Sequence, residues 1–218
     1  ADRHRAKLSA LRLVSDGIRA LARRQRTGCA LNVHVLGHST GAYLIREAFD
    51  DADDTHLVNG AWNVSQACFI AGDVSAASLD ADCASSESLY RHCVRLTNYH
   101  SRLDAVLDLS NVKRLGLAPR AGRIGLTARA PAQAVDVDCS SYYRTLRADP
   151  QLQARDQPDG FAGDRSHSWY FGNRRFAADL LATLTGVDRW SNPARVESAP
   201  GRLQLAPSAH LPLRTDSA

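Results

Sequence analysis

The 218-residue chain reads as an α/β domain with a mainly parallel sheet and flanking helices, on three observations. Short apolar or β-branched runs alternate with segments of helical periodicity. Strands separated by helices imply parallel pairing, because each crossover returns the chain to the same edge of the sheet. One strand runs through a glycine-bounded turn directly into a helix.

Each element follows in order. Between Lys7 and Arg24 the apolar residues Leu8, Leu11, Val14, Ile18 and Leu21 recur every three or four positions, the stripe of an amphipathic helix that Gly28 closes. Residues 31–36 (LNVHVL) form a strand, and residues 42–49 (AYLIREAF) resume a helix at once. Asp50, Asp51, Asp53 and Asp54 read as a solvated loop after that helix rather than a cation site. A second strand spans 67–72 (ACFIAG), ending at Asp73, and residues 76–91 carry a helix with an irregular middle. A third strand covers 93–98 (CVRLTN), with a short helix at 105–110 after it. Residues 116–129, with three glycines and a proline, read as an exposed connection. Val135 and Val137 mark a last strand, residues 139–166 an irregular polar loop, and residues 170–184 a closing helix.

After Gly186 the chain is rich in Pro, Ser and Arg with little periodicity. The expected organisation is one domain over residues 1–191 and a disordered tail over 192–218. There is no methionine, and no strand precedes the one at 31–36. The domain is therefore expected to be N-terminally incomplete, the C-terminal part of a larger fold.

Composition narrows the function. Hydrophobic residues at 44% and charged residues at 23% exclude a disordered chain or a collagen. The net charge of +4 comes from scattered arginines, lysine occurring only at Lys7 and Lys113, so no basic stripe points to nucleic acid. No apolar run is long enough to span a bilayer. Cys29, Cys68, Cys83, Cys93 and Cys139 are odd in number and lack C-x-x-C spacing. They read as buried thiols of a reducing, cytoplasmic setting rather than as a disulfide framework or a zinc site.

The chemistry concentrates at Gly37-His38-Ser39-Thr40-Gly41, which is G-x-S-x-G in its setting of strand, turn and helix. Such a turn holds the serine in a strained conformation and projects its hydroxyl at the C-terminal end of the sheet. The flanking glycines are expected to let strand and helix pass closely. The Thr40 N–H, at the helix start, is placed to receive an oxyanion. A phosphate-binding turn is the alternative, but neither a P-loop ending nor G-x-G-x-x-G is present.

With GHSTGAYL, FIAGDV, YHSRLDAVL and SHSWYF, the chain resembles the alpha/beta-hydrolase superfamily, in a bacterial branch of esterase- or lipase-like enzymes. The likeness runs from the first helix to the one closing near Gly186. It implies an alpha/beta-hydrolase fold and a triad in the chain order serine, acid, histidine. Ser39 is then the nucleophile, Asp104 the acid after the third strand, and His167 the base before the closing helix. Asp73, at the end of the second strand, is the rival acid, while Asp108 reads as solvated. His38, the variable residue of the turn, is expected to pack beside the nucleophile, and His34 to sit satisfied within its strand. His92 and His100 bracket a strand, too far apart to share a metal. His4, His56 and His210 fall in a helix start, a loop and the tail. Trp169, Tyr170 and Phe171 either wall an acyl pocket or are simple core.

The resemblance implies hydrolysis of a small carboxylic ester without cofactor or metal. A non-catalytic binding domain and an acyltransferase using the same residues remain the alternatives. The first is motivated by the missing early strand, whose following loop carries the family's second oxyanion donor.

Overall fold

A computed structural model of the protein describes residues 2–25, 32–54, 58, 62–112 and 118–206. Gly28, Cys29, His56, Lys113 and His210 lie outside these. The chain divides into two compact units, Ala1–Val137 and Asp138–Ala218.

The first unit begins with α1 (Asp2–Arg12), a π-helical stretch (Leu13–Ile18) and α2 (Arg19–Arg24). The buried stripe is Ala6, Ala10, Val14 and Ile18, whereas Leu8 and Leu11, expected on the core face, are exposed. Small residues at every fourth position let α1 lie close against α3 (Thr40–Asp54). The strands are β1 (His34–His38), β2 (Val64–Ile70), β3 (Cys93–His100) and β4 (Ala134–Asp138), in spatial order β1-β2-β3-β4. β1 pairs with β2 and β2 with β3 in parallel, and the register sets His38, Ile70 and Tyr99 level at one edge. The central β2 is buried almost throughout, as a parallel strand covered on both faces must be. Ala42, Ile45, Ala48, Phe49 and Ala52 of α3 pack on one sheet face together with Phe69 and Leu96.

Three connections differ from the sequence expectation. The acidic run is no loop: it forms the last turns of α3, where Asp53 pairs with Arg91 and His92. The irregular middle of 76–91 separates a 3₁₀ turn (Ala76–Leu79) from α4 (Ala84–Arg91). In the connection after α5 (Ala105–Val112), residues 113–117 lie outside the described residues. Its second half is built as α6 (Ala121–Ile124), with Arg120 and Ala121 fully buried.

The second unit is ordered where a loop and a tail were expected. Residues 139–166 hold α7 (Ser140–Ala148), α8 (Pro150–Asp156) and the start of α9 (Arg165–Ser168). Asp149 caps α8 by accepting the Gln151 and Leu152 N–H groups, with Pro150 in the first turn. α10 (Arg174–Leu184) starts from Asn173, which accepts the Phe176 N–H and ties back to Gln157 and Tyr142. β5 (Arg195–Ala199) and β6 (Arg202–Leu205) form an antiparallel hairpin inside the stretch read as a tail. The physical reason is Arg195: its guanidinium makes 2.7 Å contacts with buried Asp179 of α10, and Leu203, Leu205 and Ala206 are buried. Residues 207–218 lie outside the described residues.

Candidate active site

Parallel pairing puts the ends of β1, β2 and β3 on one edge, and the loops leaving them carry Ser39, Asp73 and Asp104. Ser39 directly follows β1 and has φ +55°, a left-handed conformation rare for a residue with a Cβ. Such backbone costs about 1–3 kcal/mol and persists only where its surroundings enforce it. Three hydrogen bonds do so. The Ser39 N–H donates to the Ile70 carbonyl at 3.0 Å, and the Ser39 carbonyl accepts from Ala42 at 3.2 Å and from Asp73 at 2.9 Å. Ser39 itself remains half-exposed.

The glycines divide. A Cβ on Gly37 would lie 2.7 Å from the Ala42 nitrogen and 2.8 Å from its Cα, so the close pass of strand and helix depends on it. A Cβ on Gly41 would meet nothing within 4 Å, which corrects the expectation that both glycines are sterically required. His38 is the last residue of β1, half-buried and paired with Ile70. Thr40 opens α3, so its N–H has no acceptor within the helix and points where an anion is favoured.

Asp104 is fully buried after β3, and its Oδ1 accepts the Leu107 N–H at 2.9 Å, capping α5. Asp73 forms an ion pair of 2.9 Å through Oδ1 with Nε of Arg120, a fully buried arginine. Asp108, expected to be solvated, has a half-exposed side chain paired with Arg123 at 2.9 Å. His167 belongs to the second unit, on α9, and is 7% exposed. Asp164 caps that helix, and hydrogen bonding from the Ser166 hydroxyl, outweighing a little burial, holds its carboxyl below the usual range. Trp169 and Tyr170 are buried among Tyr142, Tyr143 and Phe176 as core of the second unit, while Phe171 is 44% exposed.

Residues beyond the sequence-predicted set also shape this edge. His100 Nδ1 lies 3.2 Å from Asp136, which accepts a hydrogen bond from Asn98 at 2.8 Å. Arg120 and Gly122 meet the loop after β2, from within the 116–129 stretch that reads in sequence as an exposed connection. No disulfide joins Cys68, Cys83, Cys93 or Cys139, and burial pushes the Cys93 thiol up to about 12, far from a reactive thiolate. Among the described residues no group of three or more His, Cys, Asp or Glu is gathered as a metal ion would need. Among them, too, no helix is long and apolar enough to cross a membrane.

A family model, described as alpha/beta hydrolase of unknown function (DUF900), matches residues 1–139. That span contains Ser39, Asp73 and Asp104 and stops short of His167. No curated protein and no solved structure matches the chain.

Proposed function

The chain belongs to the DUF900 family of alpha/beta hydrolases, and on that premise we propose that it is a serine hydrolase cleaving a carboxylic ester through an acyl-enzyme on Ser39. The observation that carries this is the backbone at Ser39, a left-handed residue with φ +55° between a buried parallel sheet and a helix start. A serine with no chemical task gains nothing from such strain, and a turn from strand to helix is the setting that a nucleophilic serine of this fold uses, which supports the reading.

In the proposed reaction the Ser39 hydroxyl attacks the ester carbonyl while His167 takes its proton. The carbonyl oxygen becomes an oxyanion, stabilised by the Thr40 N–H. Collapse expels the alcohol, which leaves with the proton from His167. Water then attacks the acyl-enzyme by the same route, releasing the acid and regenerating Ser39. Asp104 is the group assigned to orient the imidazole and stabilise its charged form. Its burial after β3 supports that role, as does the commitment of the rival Asp73 to Arg120.

Turnover of a short-chain p-nitrophenyl ester by the full chain tests this. Asp104→Asn is expected to lower kcat by roughly 10⁴-fold, the scale of losing a triad carboxylate. Asp73→Asn, compared with it in the folded state, is expected to lower kcat much less. Equal losses in the two variants contradict the assignment of the acid. Faster release of p-nitrophenol on adding an alcohol, with the ester of that alcohol as product, identifies an acyltransferase. Turnover that survives Ser39→Ala contradicts the mechanism, and no turnover by the wild-type chain supports the binding-domain alternative.

A further inference from the structure

The segment Arg120–Arg123 crosses the loops that follow β2 and β3. On the β2 side, the Ala121 N–H donates to the Val74 carbonyl at 2.9 Å and the Gly122 N–H to the Gly72 carbonyl at 3.1 Å. Ser75 and Arg120 form an antiparallel bridge, and the Ala76 N–H donates to Pro119 at 2.9 Å. The approach is so close that a Cβ on Gly122 would fall 2.2 Å from the Ala71 carbonyl carbon and the Gly72 nitrogen. Ala71 itself is left-handed, with φ +46°.

On the β3 side, the Gly122 carbonyl accepts the Ser101 N–H at 3.0 Å, and the Ala121 carbonyl accepts Asn98 Nδ2 at 3.1 Å. Arg123 Nε donates to the Asp104 carbonyl at 3.3 Å, and its Nη2 pairs with Asp108. The same four residues thus hold the loop bearing Asp73, whose N–H supports the Ser39 carbonyl, and the loop bearing Asp104.

We propose that Arg120–Arg123 is a positioning strap that fixes the Ser39 turn relative to Asp104, with the buried Arg120–Asp73 ion pair as its anchor. The proposal rests on the roles given above to Ser39 and Asp104. Its logic is energetic. Arg120 is fully buried and none of its three guanidinium nitrogens makes a hydrogen bond, so the charge of Asp73, 2.9 Å from Nε, is the countercharge that permits its burial. A buried charge of this kind holds its partner in one place, because any departure leaves the charge uncompensated. Asp73 therefore stays where its N–H meets the Ser39 carbonyl, and the serine's strained φ is enforced through Arg120. Arg120 touches no reacting atom and is a positioning residue.

The test compares the full chain with Arg120→Gln and Arg120→Lys on a p-nitrophenyl ester. Arg120→Gln is expected to lower kcat by about 10- to 100-fold, the scale of misplacing a reacting group by an ångström, with KM and the shape of the pH profile unchanged. Arg120→Lys keeps the charge but not the planar fork, and is expected to recover part of the loss. A folded Arg120→Gln protein with wild-type kcat overturns the proposal. If Arg120→Gln does not fold, Arg120→Lys carries the test, and wild-type kcat in it is the overturning result. If the wild-type chain shows no turnover, the hydrolase assignment fails and amide exchange decides the strap alone. Faster exchange at Ala42 and Asp73 than at Ala67 in the variant supports it, and unchanged exchange overturns it.

Discussion

The two ends of the same parallel sheet both carry serine and aspartate and use them differently. At the N-terminal end, Ser88 donates to Asp53 at 2.8 Å, and Asp53 lies 2.9 Å from His92 Nε2. The other ring nitrogen, Nδ1, is 2.8 Å from the Trp62 carbonyl, and the imidazole stacks on the Trp62 indole at 3.8 Å. Here the serine is hydrogen-bonded to the carboxylate, the histidine is saturated, and the backbone is ordinary helix. At the C-terminal end, Ser39 stands on a left-handed turn beside a helix N-terminus, and Asp104 is buried after β3. A Ser–Asp–His set is thus structural where its groups satisfy one another. A serine becomes a candidate for chemistry where the fold holds it strained and half-exposed.

Five substitutions break or sharpen this contrast. Ser39→Ala is expected to remove about six orders of magnitude of esterase turnover, the scale of deleting a serine nucleophile. Ser88→Ala leaves turnover unchanged and lowers stability by about 1 kcal/mol, as read by urea denaturation. Gly37→Ala pushes a methyl group into the Ala42 backbone and is expected to cost about 100-fold in kcat, because the turn must shift.

Asp53→Ala acts at the other end and on stability alone, by about 2 kcal/mol through unpaired neighbours. Burial pushes the Asp53 carboxyl up, but hydrogen bonds from Ser88 and His92, with the charges of His92 and Arg91, outweigh it and hold it below the usual carboxylate range. A carboxyl depressed in the folded state stabilises above its unfolded pKa, and that gain is lost as pH falls through the folded value. The gap between wild type and Asp53→Ala in urea melts is therefore expected to be full at pH 7 and to shrink below about pH 4. Gly41→Ala has the smallest effect. With open space and helical backbone, it is expected to stabilise by about 0.5–1 kcal/mol without loss of turnover. A drop in Tm there contradicts the distinction drawn between the two glycines.

The elements of the first unit were legible because hydrophobic period and glycine punctuation are local signals. The turn at Ser39 was legible for the same reason: G-x-S-x-G encodes its own geometry. The second unit was not. Its hairpin depends on Arg195 finding Asp179, and α7 on Tyr142 and Tyr143 finding Trp169. Polar and aromatic residues scattered in sequence read as loop until the fold pairs them. Arg120 escaped notice likewise, one arginine among many, distinguished by complete burial against Asp73. The acidic end of α3 misled in the opposite direction, because a run of aspartates reads as solvated until Arg91 and His92 neutralise one of them.

The central claim is that backbone strain and topology, rather than residue identity, single out one serine of this chain for chemistry. A fluorophosphonate probe applied to the folded full chain, followed by peptide mass spectrometry, tests it most directly. The expected result is one phosphonylated peptide, carrying the adduct on Ser39, with Ser88 unmodified. A folded protein with no adduct on Ser39, or with equal labelling of Ser39 and Ser88, contradicts the account.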